Sequence, residues 1–427
     1  MRNTAIIGAQ WGDEGKAKIV DILSRDADVI VRYQGGANAG HTVVKDGVKF
    51  IFHLVPTGAL YPDKTCVIGN GVVLDPEQLL EEISCLEEKG IFLKDRLKIS
   101  GNAHIVFPFH KLLDSAMETD SAAQKIGTTL RGIGPAYTDK MRRIGVRIYD
   151  LYHPDVLKER LETNLKYKNA IIREIFHKKE ILLEEILSYC MKIASRIESM
   201  VCDTGNFLHQ RIREGDSILF EGAQGTLLDI DFGTYPYLTS SNPTIGGLFS
   251  GTGVNPGQLD EIIGIAKAYQ TRVGDGPFPT ELIDETGDKL RQSGNEYGAT
   301  TGRPRRCGWL DLAALRYAVK INGFTRIALT KIDVLDKFDT IYICTGYQIS
   351  EEEGSISRYP EDSTRLAQCQ PIYKELPGWE GTVRGATDYK EFPKNARRFI
   401  EKIENFIHCQ ISLISTGPDR TEIVRRY

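Results

Sequence analysis

The sequence lacks long apolar runs, paired cysteines and an excess of either charge. No stretch approaches the roughly 18 apolar residues of a membrane-spanning helix, and no basic and apolar leader precedes the first predicted strand. Lys and Arg number 54 against 58 Asp and Glu, a formal net charge of -4, so a general nucleic-acid or membrane-surface role has no electrostatic support. The eight cysteines form no C-x-x-C pair, which argues against structural zinc and disulfides. These absences predict a cytoplasmic protein whose cysteines are reduced thiols.

A glycine-rich loop joins the first predicted strand to the first predicted helix. The apolar run at 5–7 predicts a buried strand, and Ile19, Val20 and Leu23 lie on one face of a helix that begins near Lys16. Glycines in such a loop let backbone N–H groups point at an anion, while the helix N-terminus and the lysine add positive charge. The segment is therefore predicted to bind phosphate.

This loop departs from the usual phosphate-loop pattern G-x-x-x-x-G-K-[ST]. Gln10 replaces the first glycine, and Ala17 replaces the hydroxyl residue that usually holds magnesium. Because Mg²⁺ prefers oxygen ligands, we predict that the Asp13 carboxylate supplies the missing ligand. On these residues alone, the alternative is an ordinary strand-to-helix turn.

A second glycine-rich segment, residues 34–42, follows a strand predicted at 29–32. In doubly wound sheets, ligands bind beyond the carboxyl ends of the strands, so both loops are expected to face one site. His41 lies in this segment without apolar neighbours on which to pack, which makes a functional role as plausible as a structural one. A hairpin is predicted directly afterwards, at 43–52.

Two polar segments, 128–143 and 298–306, combine threonines with clustered cations. Such groups bind phosphates and carboxylates, and arginine forks match small dianions. The alternatives are a solvated loop with incidental charges for the first and a structural arginine cluster for the second. Between them, a strand predicted at 218–221 ends in a glycine turn, and the thirty residues that follow are predicted to lack regular structure.

A strand predicted at 326–330 ends in the motif T-K-x-D. The Asp333 carboxylate can accept hydrogen bonds from the ring N–H and the exocyclic amine of guanine, whereas adenine offers neither donor there. The stem of Lys331 can lie over the base. Together with the phosphate loop, this motif indicates GTP rather than ATP, and the turn after a last predicted strand at 411–415 is expected to close over the same base.

Residues 155–204 contain no Gly or Pro and carry apolar residues at helical spacing. Two or three helices are therefore predicted there, without a chemical role. The whole chain, 1–427, is predicted to form a single large α/β domain, with a mostly helical subdomain inserted at 105–205.

The motifs of this chain resemble those of the adenylosuccinate synthetase family from end to end. They occur in the family's order: Q-W-G-D-E-G-K at 10–16, N-A-G-H-T at 38–42, G-I-G-P-A-Y-x-D-K-x-x-R at 132–143, E-G-A-Q-G-T-L-L-D at 221–229, G-A-T-T-G-R-P-R-R at 298–306 and T-K-x-D at 330–333. The resemblance implies a large, mostly parallel β-sheet flanked by helices, distantly like the P-loop nucleotidases. It also implies a ligase that joins IMP to L-aspartate with GTP and Mg²⁺ through 6-phosphoryl-IMP, releasing adenylosuccinate, GDP and phosphate on the way to AMP.

The resemblance further implies roles for individual residues. Asp13 is expected to take the proton from ring nitrogen 1 of IMP and to ligate Mg²⁺, with the Gly40 carbonyl as a second metal ligand. His41 is expected to donate to the phosphate bridge as GDP leaves, and Lys16 and Gln224 complete the catalytic set. GTP is expected to contact Gly12, Asp13, Glu14, Gly15, Lys16, Ala17, Lys18, Gly40, His41, Thr42, Arg305, Lys331, Ile332, Asp333, Ser415, Thr416 and Gly417.

The other two substrates are assigned in the same way. L-aspartate is expected to meet Arg303 and Arg305 through its carboxylates, and Arg143 is expected to reach the IMP site of the partner subunit in a homodimer. IMP is expected to contact Asp13, Glu14, Gly15, Lys16, Asn38, Ala39, Gly40, His41, Thr129, Arg143, Gln224, Thr239 and Arg303. The aspartate loop comprises Ala299, Thr300, Thr301, Gly302, Arg303, Pro304 and Arg305.

Two other functions fit parts of the sequence. A GTP-driven switch accounts for residues 8–18 and 330–333 but leaves the segments 128–143 and 298–306 without a role. Another ligase would activate a different oxo-heterocycle or use a different amine donor. One departure from the family is Ala17, where Gly is usual, and its methyl group costs about 1 kcal/mol only if the position needs a positive φ.

Overall fold

The computed structural model describes residues 2–45, 47–120, 126–298, 302–350 and 354–426. Strands form where apolar and β-branched residues cluster between turns. They are β1 Thr4–Gly8, β2 Val29–Arg32, β3 His41–Lys45, β4 Val48–Phe52, β5 Thr65–Ile68, β6 Val73–Leu74, β7 Leu97–Ser100, β8 His104–Ile105, β9 Val201–Cys202, β10 Ile218–Glu221, β11 Glu261–Lys267, β12 Gln270–Arg272, β13 Arg306–Gly308, β14 Leu310–Asp311, β15 Arg326–Thr330, β16 Thr340–Ser350, β17 Gly354–Ile356, β18 Gln370–Pro377, β19 Ile411–Ser415 and β20 Ile423–Arg425.

The helices alternate with these strands, as expected of parallel sheets that need crossover connections. They are α1 Lys16–Ser24, α2 Pro76–Glu87, α3 Pro108–Thr119, α4 Ile133–Arg142, α5 Pro154–Glu174, α6 Leu183–Ile197, α7 Thr204–Arg213, α8 Ile245–Thr252, α9 Glu285–Gly294, α10 Leu312–Asn322, α11 Ser363–Gln368 and α12 Lys394–Ile407. None of the helices in the described ranges is both long and apolar enough to cross a bilayer.

A ten-stranded sheet organises the fold, in the order β20-β19-β15-β11-β1-β10-β2-β5-β7-β9. Its neighbouring strands run parallel except for the antiparallel pair β19–β20. The predicted large, mostly parallel sheet flanked by helices is therefore confirmed. Because the strands are parallel, the loops after β1, β2, β10, β15 and β19 lie at the same edge of the sheet.

The central strand β1 is buried on both faces, which explains its continuous apolar run. Ala5 and Ile7 pack into the larger core on one face. Ile6 packs on the other face, in a cluster that includes Ile19 and Val20 of α1. The packing of α1 against the sheet fixes the start of the helix, and so the loop before it, beside the end of β1.

Two predictions of irregular structure were wrong. The segment 128–143 contains α4, whose Ile133, Ala136 and Tyr137 form a small core cluster. Pro135 lies in the first turn of this helix, where a missing N–H costs little. Within the region after β10, residues 245–252 form α8. Its glycines mask the helical pattern, and Gly251 is required because a Cβ there would collide with the Tyr33 carbonyl.

The helices predicted for 155–204 are confirmed as α5 and α6, with α7 beginning at the end of this stretch. The neighbouring α3 and α4 belong to the same part of the chain, where β8 and β9 are short. That residues 105–205 form a separate inserted subdomain stays a prediction.

Candidate functional site

A cavity of about 1420 Å³ opens at the carboxyl edge of the sheet. It exceeds the ~300–1,000 Å³ typical of pockets for a single small ligand, so it has room for more than one. Most predicted site residues line it: Gly12, Asp13, Gly15, Lys16, Ala17, Lys18, Asn38, Ala39, Gly40, His41, Thr42, Thr129, Gln224, Thr239, Arg305, Lys331, Asp333, Ser415 and Gly417. The strand order thus brings together residues from both ends of the chain.

The other predicted site residues do not line this cavity. The side chains of Glu14, Ile332 and Thr416 are buried within their loops, so any contact they make with a ligand is through the backbone. Gly302, Arg303, Pro304 and Arg143 are exposed, and the backbone N–H of Gly298 donates to the Arg303 carbonyl at 2.8 Å. Ala299, Thr300 and Thr301 lie outside the described residues.

The phosphate loop is built around a carboxylate of its own. The fully buried Glu14 accepts hydrogen bonds from the backbone N–H groups of Gln10 at 3.1 Å and Gly12 at 2.9 Å. Its other oxygen accepts from the Lys16 ammonium at 2.5 Å. The Gly12 N–H and the Lys16 ammonium, which the sequence assigned to phosphate, therefore contact an internal anion in this structure. The same loop is joined to β15, because Thr330 donates its hydroxyl to the Glu14 carbonyl.

The loop needs left-handed backbone at Gly12 and Gly15, with φ of 81° and 83°. Ala17, in contrast, lies in the first turn of α1 and is absent from the positive-φ residues. Its methyl group therefore meets no conformational penalty, and the departure from the family's glycine is accommodated.

Several candidate site residues also adopt left-handed backbone, which is uncommon outside glycine. Of the eight non-glycine residues with positive φ in the described ranges, four are predicted site residues: Asp13, Arg143, Gln224 and Lys331. The side-chain Oε1 of Gln224 is buried at the cavity without a hydrogen-bond partner. Since buried polar groups are nearly always paired, this oxygen is a strong candidate for contact with a ligand.

The Asp13 carboxylate faces the cavity and lies 2.8 Å from Nε of Arg305. This pair joins the phosphate loop to the arginine-rich segment, as the prediction of one shared site requires. The carboxylate is more than a third exposed, so it remains accessible to a ligand from the cavity side.

His41 is held by a buried carboxylate that the sequence analysis missed. Its Nδ1–H donates to Glu221, which also accepts from the backbone N–H of Thr57 at 2.9 Å and from Arg32 at 3.3 Å. Burial lowers the pKa of His41, and Arg32 lowers it further, while Glu221 opposes both. The bond at Nδ1 leaves Nε2 as the ring nitrogen for a ligand. The signal for Glu221 was a lone acid at the end of an apolar strand.

The T-K-x-D motif presents its carboxylate to the cavity. Asp333 lines the cavity, and burial raises its pKa. The Lys331 ammonium donates to the Gly294 carbonyl at 2.6 Å and to Glu296 at 2.8 Å. These two bonds hold the end of the lysine side chain.

Lys18 and Asp21 of α1 hold the C-terminal turn after β19 by hydrogen bonds. The Lys18 ammonium donates to the hydroxyl of Ser415 at 2.8 Å and to the carbonyls of Gly417 at 2.6 Å and Glu422 at 2.8 Å. Asp21, one helical turn on, accepts two hydrogen bonds from Arg420, each at 2.7 Å. Lys18 was expected at the GTP phosphates, but here its ammonium holds the turn.

The fold and the cavity define a nucleotide-binding α/β enzyme, in which a glycine-rich strand-to-helix loop and the acidic Asp333 line one site. Comparison with known proteins narrows this class. The chain belongs to the adenylosuccinate synthetase family, whose model matches residues 5–424.

Relatives at high identity extend over the whole chain. The adenylosuccinate synthetase of Halothermothrix orenii is 50% identical over 426 residues, covering 100% of this chain and 99% of the relative. That of Caldanaerobacter subterraneus is 50% identical over 425 residues, covering 99% of each. The structure of fully ligated adenylosuccinate synthetase from Plasmodium falciparum is 38% identical, with a TM-score of 0.94 and 100% coverage of both chains. Cyanophage S-2L succinoaminodeoxyadenylate synthetase, at 19% identity and a TM-score of 0.62 over 100% of this chain and 95% of that one, shares the fold.

Proposed function

We propose that this enzyme joins IMP and L-aspartate to form adenylosuccinate, with GTP as the phosphoryl donor, through a 6-phosphoryl-IMP intermediate. One observation carries the proposal: Asp13, His41 and Asp333, from three loops far apart in sequence, line one cavity large enough for two nucleotides. Membership of the family supports the ligation and the use of GTP. The ligation is the first committed step from IMP to AMP.

In the first step, Asp13 accepts the proton from ring nitrogen 1 of IMP. The electron pair moves to oxygen 6, which attacks the γ-phosphorus of GTP, and the bond to the bridging oxygen of GDP breaks. His41 donates from Nε2 to that leaving oxygen. The negative charge of GTP favours protonation of the His41 imidazole, and Glu221 supports the resulting imidazolium through Nδ1.

In the second step, the aspartate amine attacks carbon 6 of 6-phosphoryl-IMP. The bond between carbon 6 and oxygen 6 breaks, and phosphate leaves with its electron pair. The amine loses a proton, so adenylosuccinate, GDP and phosphate are the balanced products. Arg303 and Arg305 are proposed to meet the carboxylates of aspartate, because guanidinium forks match such groups. This requires Arg305 to share its donors between the substrate, Asp13 and Glu296, which it contacts at 2.8 and 2.7 Å.

The donor set suits Mg²⁺. This ion is usually held by one or two carboxylates together with substrate phosphates, rather than by a protein cage, and no group of three or more His, Cys, Asp and Glu able to hold a metal occurs in the described part of the chain. Asp13 and the Gly40 carbonyl would hold the ion. When bound, it would neutralise charge on the phosphates of GTP.

We further propose that Asn38, Thr129, Gln224 and Thr239 bind IMP, since each of them lines the cavity. Arg143 is exposed in a left-handed conformation at the end of α4 and is proposed to reach the site of a second subunit. Sedimentation with and without IMP tests the homodimer. Full turnover by a monomer would contradict it.

Omission assays test the reaction itself. Incubation with GTP, Mg²⁺, IMP and aspartate should give adenylosuccinate and GDP in equal amounts, and leaving out IMP or aspartate should abolish product. GDP release that continues unchanged without IMP or without aspartate would favour a GTP-driven switch. Product from another heterocycle or amine in preference to IMP or aspartate would favour a different ligase.

The Asp13→Ala variant tests the base. Turnover should fall by at least 100-fold, because general-base catalysis typically contributes 10²–10⁴, while the melting temperature falls by only a few degrees, since Asp13 has a positive φ and pairs with Arg305. Asp63→Ala is the matched control, since this exposed carboxylate pairs with the neighbouring Lys64 and does not line the cavity. Near-normal turnover of folded Asp13→Ala would contradict the assignment.

A further inference from the structure

A buried carboxylate, Glu296, lies at the centre of a charged cluster formed with Lys267, Tyr269, Arg305 and Lys331. Its Oε1 accepts hydrogen bonds from Lys267 at 2.9 Å, Lys331 at 2.8 Å and the Tyr269 hydroxyl at 2.5 Å. Its Oε2 accepts from Arg305 at 2.7 Å. We call these five residues the Glu296 cluster. Neither Glu296 nor Lys267 exposes its side chain to solvent.

The charge of Glu296 does not change near neutral pH. Burial alone raises the pKa of Glu296, but Lys267, Lys331 and Arg305 together hold it well below its usual range. Burial lowers the pKa of Lys267 to about 8, although Glu296 opposes this shift. The carboxylate therefore stays ionised throughout the neutral range and can accept hydrogen bonds from all four partners.

Two members of the cluster, Lys331 and Arg305, line the cavity. Lys331 lines the cavity next to Asp333, which is proposed to bind guanine. Arg305, bonded to the other carboxylate oxygen of Glu296, also lines the cavity; it contacts Asp13 and is proposed to meet aspartate. Lys267 and Tyr269 do not line the cavity, and they hold the carboxylate from behind.

We infer that Glu296 is a positioning residue that couples the guanine subsite to the aspartate subsite. The inference rests on the proposed function, because it needs GTP and aspartate in one cavity. Any displacement of Lys331 shifts the carboxylate to which Arg305 is bonded, so disturbance at one subsite reaches the other through two hydrogen bonds of 2.8 and 2.7 Å.

The Glu296→Gln variant tests this coupling. The amide has the shape of the carboxylate but places an N–H donor among cations, so it cannot hold both Lys331 and Arg305. The KM values for GTP and for aspartate should rise together, each by about 10-fold, whereas the KM for IMP stays within twofold. Glu296→Asp keeps the charge and should restore both values in part. Glu281→Gln is the matched control, because Glu281 pairs with the adjacent Arg306 at 2.7 Å outside the cluster and should leave all three KM values unchanged.

A second variant keeps the test decisive if Glu296→Gln fails to fold. Lys331→Met removes only the cluster member at the guanine subsite, and it should raise the KM for aspartate as well as that for GTP. Equal increases for all three substrates, or an aspartate KM that ignores both variants, would overturn the coupling. Calorimetric titration with GTP shows whether the coupling through Glu296 or the proposed function itself is wrong. A wild-type chain that binds GTP but makes no adenylosuccinate refutes the function, whereas GTP binding that Glu296→Gln leaves unchanged refutes the role of Glu296.

Discussion

The contact between Lys18 and the C-terminal turn predicts that Lys18→Met will damage recognition of GTP more than stability. Methionine has nearly the shape of the lysine stem, but it removes three donors from the turn. Two acceptors keep other partners: the Gly417 carbonyl keeps the Ser415 hydroxyl at 3.1 Å, and the Glu422 carbonyl keeps the Thr416 N–H at 3.0 Å. The net loss is therefore about that of one charge-assisted hydrogen bond, about 2 kcal/mol.

Two kilocalories correspond to a factor of about 30 in an equilibrium constant. If the turn must be ordered for guanine to bind, the KM for GTP should rise by that factor while the KM for IMP stays within twofold. Global stability should change less, because burial lowers the pKa of Lys18 to about 8 and the variant no longer buries this charge. The melting temperature should therefore shift by only a few degrees.

Steady-state kinetics with GTP and with inosine triphosphate provide the assay. Inosine triphosphate lacks the exocyclic amine, so a loosened base subsite should discriminate less between the two. Lys289→Met is the matched control, because this lysine also donates to a backbone carbonyl, that of Lys337, but does not line the cavity. An unchanged KM for GTP and an unchanged preference in folded Lys18→Met would refute the reasoning.

Three further predictions follow from single contacts. Asp333→Asn should shift preference towards xanthosine triphosphate, whose additional carbonyl pairs with the amide, and retained GTP selectivity in competition assays would count against Asp333. Glu221→Gln should lower kcat roughly 100-fold with little change in KM, because His41 loses the carboxylate that supports its imidazolium; normal kcat would exclude that role. Burial lowers the pKa of His104 to about 4 in the folded state. The unfolded chain, with a pKa near 6.5 for this histidine, binds the proton more tightly. About 3 kcal/mol of the free energy of unfolding is therefore lost as pH falls from 6.5 to 4. His104→Gln should therefore flatten the decline in melting temperature over that range, and an unchanged decline would contradict the assignment.

The sequence predicted correctly those elements that are determined by residues close to one another along the chain. The apolar run of β1, the glycines of its loop and the start of α1 lie within twenty residues, and burial on both faces of a parallel sheet allows little variation. The motif at 330–333 was equally visible, because a strand ending in a short polar segment leaves its side chains at the sheet edge. In these regions the expected elements and the structure agree.

The remainder depends on contacts that the pattern does not contain. Glu221 opens the motif at 221–229 but was given no role there, and Glu296 lies outside every motif. Their partners lie at positions such as Arg32 and Lys267, which only the fold brings near them. The helix α8 was missed because glycine lowers helical propensity, although close backbone packing at this position requires it. Sequence reasoning named residues that line the cavity but not the carboxylates that hold them.

The strand order of the sheet also determines when, during its own synthesis, the chain becomes able to consume nucleotide. Lys18 and its acceptor Gly417 are 399 positions apart, so a ribosome-bound chain that has not yet produced β19 carries a phosphate loop without the turn that is proposed to cover the base. The cavity is complete only once β19 and the turn after it are in place, and contacts this distant in sequence are slow to form.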